Sequence, residues 1–278
     1  STGNMLVDDP TTLSAIFSRS KLMVVTHCED TPMILVNEAA ARARWGEDVP
    51  FEQHPLIRSE AACYASTELA VRLAKEHGAR LHVLHLTTAR ELAFFAAGPV
   101  KDKQITVEAC VHHLYFDERS YATRGADIKC NPAVKRAEDR VALVAAVKAG
   151  IIDVVATDHA PHTREEKDRS YFKAPSGLPL VQHALPMLLT LAARGELSLF
   201  DVVERTSHNV ARLFGVQERG FIREGAYADL ALIDPDQSFR VTRDSVRYHC
   251  GWSPLEGDTL TGQVEATWVN GEKVYDGG

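Results

Sequence analysis

Ile151-Ile152-Asp153-Val154-Val155-Ala156-Thr157-Asp158-His159-Ala160-Pro161-His162 is a largely apolar run of strand length that stops on a carboxylate and opens into a polar loop. Just before it, Ala137 to Lys148 reads as a helix stopped by Gly150. The same helix-and-strand unit recurs upstream. Leu22-Met23-Val24-Val25-Thr26 ends at His27, Arg80 to Leu86 carries His85 near its end, and Gln104 to Cys110 is a third run. The stretches between them read as helical: one opens at Pro32 and reaches Trp45, and one covers 59–77 with Gly78 as its stop. A third is expected from a Thr87 or Thr88 cap through Ala97, ended by Gly98-Pro99. Beyond the loop from Asp158 to Ser176, helices are expected near 178–193 and 198–214.

Strands separated by helices imply parallel pairing with right-handed crossovers. In such α/β units functional groups collect at the carboxyl ends of the strands. His27, His85 and Asp158 all stand there. Two imidazoles and a carboxylate on neighbouring strand ends suit zinc or a similar divalent ion. Such an ion lowers the pKa of bound water to about 7, and a nearby carboxylate can take its proton and pass it to a leaving nitrogen.

From Gly220 the texture changes. Gly220-Phe221-Ile222-Arg223-Glu224-Gly225 leads into Ala228-Asp229-Leu230-Ala231-Leu232-Ile233-Asp234. Ala266-Thr267-Trp268-Val269 then meets an Asn270-Gly271 turn and returns through Lys273-Val274-Tyr275, the sequence of a hairpin. We therefore divide the chain into 1–215, an α/β part, and 216–278, a small β segment.

The bulk numbers narrow the function classes. A chain of 278 residues with 45% hydrophobic and 25% charged residues has the make-up of an ordinary globular protein. Its net charge of −7 argues against nucleic acid or an anionic membrane surface as the main partner. No run approaches the roughly 18 apolar residues that span a bilayer. The five cysteines (Cys28, Cys63, Cys110, Cys130, Cys250) form no CxxC pair and read as reduced thiols of a cytoplasmic protein.

Thr26-His27-Cys28-Glu29-Asp30, His85-Leu86-Thr87-Thr88, Asn131-Pro132, and Thr157-Asp158-His159-Ala160-Pro161-His162 followed by Ala174-Pro175-Ser176-Gly177 resemble, in that order, dihydroorotase, a branch of the cyclic amidohydrolases. The tail, with Ser253-Pro254-Leu255-Glu256-Gly257, looks like that family's C-terminal β segment. The resemblance implies a metal-dependent (β/α)8 barrel of the TIM type, of which residues 1–215 would give about the last four strands. It implies a binuclear Zn2+ centre at the barrel mouth, with His27 and His85 on the second metal. Asp158 would bind the first metal and act as general base, then acid. Asn131 resembles the pyrimidine-ring contact, His162 the histidine that helps hold the substrate, and the backbone at Ala174 and Gly177 further ring contacts. The implied reaction interconverts N-carbamoyl-L-aspartate and dihydroorotate by attack of a metal-bound hydroxide on the ring carbonyl.

The family also uses a His-x-His pair on its first barrel strand and a bridging carboxylate, usually a carbamylated lysine, on its fourth. No His-x-His occurs here. The chain opens on Ser1-Thr2-Gly3-Asn4, so it is expected to begin just past that lysine, with the remaining half-barrel lost or supplied by another segment or chain. A homo-oligomer acting on a small molecule is expected.

Plainer readings stand beside these. His112 and His113, taken as adjacent strand residues, point to opposite faces and cannot share one ion, so they read as structural. His159 has the same difficulty beside Asp158. Arg58 either just starts a helix or has a role in the site, and Cys28 and Cys110 read as buried thiols. Two rivals to the function remain: a hydantoinase or allantoinase with the same chemistry on another ring, and a non-catalytic scaffold subunit.

Overall fold

The computed structural model describes residues 7–277; the Ser1-Thr2-Gly3-Asn4 segment lies outside them. Helices form where a cap and a stop bracket an apolar stripe. Asp9 accepts from Thr12 N to start Pro10–Arg19, and Asp30 accepts from Met33 N to start Thr31–Trp45. Ser59 accepts from Ala62 N to start Glu60–His77, which Gly78 ends. Ala137–Lys148 carries Glu138 and Asp139 in its first turn and Lys148 in its last, matched to the helix dipole.

Four strands, β1 (Val24–Thr26), β2 (Leu81–Val83), β3 (Ile105–Cys110) and β4 (Val154–Ala156), make one sheet in the order β1-β2-β3-β4. All three pairings are parallel: Val24 stands beside Leu81, Leu81 beside Ile105, and Glu108 beside Val154. β2 and β3 are buried on both faces, as central parallel strands are, and Leu81, Val83, Val107 and Ala109 join Leu143, Val147 and Ile152 in the main core. β1 is an edge strand among the described residues, and Val25 is 45% exposed.

A second sheet is an antiparallel meander of β5 (Leu230–Arg240), β6 (Thr259–Val269) and β7 (Glu272–Asp276). Asn270 and Gly271 both take positive φ (55° and 83°), the two-residue turn expected for that hairpin. β6 lies on the helix Ala184–Ala193. There a side chain at Gly262 would overlap Leu189, and Thr190 Oγ1 accepts from Thr261 N at 2.9 Å. Val241, Leu255 and Leu260 extend the main core into this unit.

Several expectations change, three of them near the ends of β2 and β3. The strand expected over Arg80–Leu86 is regular only from Leu81 to Val83. Leu84 N and Leu86 N still bond to Thr26 O and Glu108 O, but His85 between them has φ 38°, which takes its side chain out of the alternation. The helix expected through Ala97 is a short 3-10 turn, Arg90–Phe94. Its Glu91 is pinned by Thr67 and Thr88, and Asp139 holds Ala89 N. Finally, β3 stops at Cys110 and the helix Val111–Tyr115 follows, so His112 and His113 are not strand residues. Among the described residues no helix is long and apolar enough to cross a membrane.

Candidate metal centre

The carboxyl ends of β1 to β4 deliver, in order, His27, His85, Cys110 and Asp158. His27 Nδ1 and His85 Nε2 stand 2.9 Å apart, with the rings edge-on at 76°. Burial pushes the His85 imidazole down to about 3, and the facing His27 adds to the effect, so the ring is neutral and keeps a lone pair for a cation. Its other nitrogen, Nδ1, is buried without a hydrogen-bond partner.

Behind His27 lies a charged support. Its Nε2 is 2.9 Å from Glu29 Oε2, an ion-pair distance off the line of a hydrogen bond, and the Arg58 guanidinium donates to the same oxygen. Burial alone would raise the Glu29 carboxyl, but the facing His27 ring and the Arg58 charge carry it down to about 2. A carboxylate behind an imidazole that presents its other nitrogen to the site is the usual way a ligating histidine is held in one orientation.

Asp158 has φ 45°, so two of the three expected ligands sit in left-handed backbone, where L side chains cost on the order of 1 kcal/mol. Among the described residues its carboxylate has no hydrogen-bond or ion-pair partner, and it keeps access to solvent. The surrounding walls still strip enough hydration to raise its pKa, helped by the Glu108 charge and opposed by His27. Among the described residues, the group of three donors within 4.8 Å of one another is Cys110, His112 and His113, so Asp158 stands apart from the His27–His85 pair.

Asn131 is half-buried, and its Oδ1 is buried with no partner, a state that costs roughly 1–3 kcal/mol unless something fills it. His162 Nε2 lies 3.2 Å from Ser176 O, and the His162 carbonyl accepts from Trp252 Nε1 at 2.8 Å, which ties the tail to this loop. The backbone at Ala174 and Gly177 is already engaged. Ala174 N donates to Ser170 O and Gly177 N to Lys129 O, while their carbonyls accept from Lys129 Nζ at 2.6 Å and Lys167 Nζ at 3.0 Å. Gly177 has φ 145°, and a Cβ there would lie 2.5 Å from Ala160 O, so no other residue fits.

Two further residues enter the site, Arg58, whose role the sequence left open, and Glu29. Arg58 and Glu29 lie 29 positions apart and meet at His27, and only the Thr26-to-Asp30 string hinted at the second. His159 instead packs at the rim, its Nδ1 accepting from Leu180 N and its ring on Tyr248. A cleft of about 760 Å³ opens along the β1 edge and includes His27, Glu29 and Arg58 but not His85, Asn131, Asp158 or His162. Of these donors His27 Nδ1 and His85 Nε2 stand together, and two imidazole nitrogens at that spacing suit a divalent ion of the zinc class.

A model of the amidohydrolase family matches residues 9–274. Among curated proteins, a dihydroorotase of Halobacterium salinarum is 37% identical over 285 residues, covering 100% of this chain and 63% of its own length. An allantoinase of Streptomyces avermitilis is 35% identical over 205 residues, 74% of this chain and 46% of its own. Among solved structures, an L-hydantoinase from Arthrobacter aurescens superposes with a TM-score of 0.91 at 26% identity, covering 100% of this chain and 63% of that one. The chain thus spans less than two thirds of the length of each of these proteins.

Proposed function

The chain belongs to the amidohydrolase family, and from that premise we propose that it is a hydrolase of cyclic amides that interconverts N-carbamoyl-L-aspartate and dihydroorotate. We read β1 to β4 as the C-terminal half of a (β/α)8 barrel and His27, His85 and Asp158 as its metal donors. The observation that carries the reading is the 2.9 Å approach of His27 Nδ1 to His85 Nε2 at the ends of adjacent parallel strands. The curated dihydroorotase at 37% identity supports the choice of ring.

A bound divalent ion, Zn2+ by donor type, supplies Lewis acidity toward the ring carbonyl and acidifies water. The chain's own residues do the rest. Asp158, unpartnered and with a raised pKa, takes a proton from the attacking water on one carboxylate oxygen. The same oxygen returns it to the departing ring nitrogen. Asn131 Oδ1, buried and unpaired, accepts a ring N–H. His162 holds the substrate from the loop side. The N–H groups of Ala174 and Gly177 are occupied, which leaves only a second carbonyl lone pair at each for a ring donor. Glu29 and Arg58 keep His27 aimed.

The test is turnover of dihydroorotate, hydantoin and allantoin by the metal-replete protein, with metal content measured on the same sample. Fastest turnover of dihydroorotate is expected. Preference for hydantoin or allantoin would transfer the assignment to the rival favoured by the likeness to the L-hydantoinase structure and the allantoinase sequence. Bound metal with no turnover of any ring would leave a non-catalytic subunit.

A further inference from the structure

We propose that Cys110, His112 and His113 form a separate metal site, for one soft ion of the zinc or copper(I) class. The chain places the three by changing structure at the right residue. β3 ends at Cys110, and the helix Val111–Tyr115 then curls the next two histidines together, their ring centroids 4.0 Å apart and tilted by 51°. One donor atom from each residue lies within 4.8 Å of the others. All three side chains are buried, with Cys110 and His112 at 0% exposure and His113 at 3%.

Their nitrogens are the independent observation. Both ring nitrogens of His112 and Nδ1 of His113 are buried with no hydrogen-bond partner. Two other buried histidines are satisfied on both sides, His54 by Tyr171 Oη and the Cys130 carbonyl and His82 by Thr106 and Glu108, while His85 and His183 each leave one nitrogen unpaired and His112 leaves both. His113 Nε2 is taken by the Pro132 carbonyl at 3.1 Å, which fixes the ring and leaves Nδ1 facing inward. A buried polar group without a partner asks for one, and a lone pair on imidazole asks for a proton or a cation.

The donor set chooses the ion. One thiolate and two imidazoles select zinc and copper(I) over magnesium, calcium or manganese, which prefer oxygen. On binding, Cys110 gives up its thiol proton to solvent and both imidazoles bind neutral. Zn–S and Zn–N bonds of about 2.3 and 2.0–2.1 Å would bring the donors to roughly 3.4 Å from one another, inside the 4.8 Å that now bounds them. Zinc would add a fourth donor, whereas copper(I) is content with three.

The site differs from the His27–His85 pair in having sulfur, and that difference makes it testable. A His27→Ala/His85→Ala protein, stripped of metal, is titrated with cobalt(II) and watched for thiolate-to-cobalt charge transfer. One equivalent of cobalt with that absorption is expected. Cys110→Ser should abolish it, and His112→Gln should weaken binding roughly tenfold or more. Zinc displacing the cobalt identifies a zinc site, and copper(I) outcompeting zinc identifies a copper site. No thiolate absorption, or absorption that survives Cys110→Ser, overturns the proposal. X-ray absorption on the unmutated, zinc-loaded protein needs no variant to fold. A sulfur neighbour at about 2.3 Å supports the site, and a shell of nitrogen and oxygen alone refutes it. None of these readings depends on hydrolase activity.

Discussion

The rim of the parallel sheet and the antiparallel tail treat local rules in opposite ways. In the tail, Asn270-Gly271 makes the turn its residues prefer, and Thr242 and Ser245 cap one another. Thr190 and Thr261 bond reciprocally where β6 meets its helix. At the rim, His85 and Asp158 hold left-handed backbone, and His85 Nδ1, Glu29 Oε1 and Asn131 Oδ1 are buried unpaired. A folded chain tolerates such departures where they serve chemistry, and the rest of the structure offsets them. The tail therefore should answer to stability and the rim to activity, and each can be challenged separately.

The largest effect is expected at Asp158. Asn has the same shape and tolerates the same left-handed backbone. Asp158→Asn should lower turnover of the cyclic amide by about 10²–10⁴-fold, the usual loss when a general acid–base is removed. Its melting temperature should stay level or rise, because the carboxylate has no partner to lose. A matching fall in stability would make Asp158 a structural residue and erase the contrast.

Gly262 is the converse. It has φ 97°, and a side chain there meets Leu189. Gly262→Val should destabilise by about 1–3 kcal/mol, the range for overpacking, while the folded fraction keeps its turnover rate. Denaturant unfolding read beside activity checks this. A turnover defect at full folding would mean that the tail reaches into the chemistry, through Trp252 and the His162 carbonyl.

The same contrast explains what the sequence disclosed. Ala137–Lys148 and the four parallel strands were legible because caps, stops and apolar runs are local signals. His27 and His85 were legible because they end such runs. Strand ends were read too long, since an alternating pattern carries no sign of the φ 38° at His85. For the same reason His112 and His113 were set on opposite faces of a strand that had already stopped at Cys110. Glu29 and Arg58 were missed as a pair because an ion pair between distant positions leaves no mark on sequence spacing. Asn131 stands in a legible motif, but its unpaired oxygen is a property of the packed state alone.

The smallest expected effect lies at the junction of the two regimes, in the loop that carries Ala174 and Gly177. Lys129 Nζ is buried and donates to the carbonyls of Tyr171 and Ala174 at 2.6 Å each, with no carboxylate in contact. Burial, aided by the charges of Lys167 and Arg58, lowers its pKa from 10.5 to about 7. The unfolded chain therefore binds more protons than the folded one between about pH 7 and 10, and stability rises with pH across that window. Below it both states are protonated and the full penalty is present; above it the penalty is gone. The slope has a ceiling of about 1.4 kcal/mol per pH unit from this group. Lys167, lowered to about 8 mainly by burial, adds the same sign over the upper part. Chemical denaturation at pH 7, 8 and 9 should show stability climbing in the unmutated protein and a shallower climb in Lys129→Met. Equal slopes in the two proteins would mean that Lys129 keeps its proton in the fold, with the loop carbonyls compensating the buried charge in full.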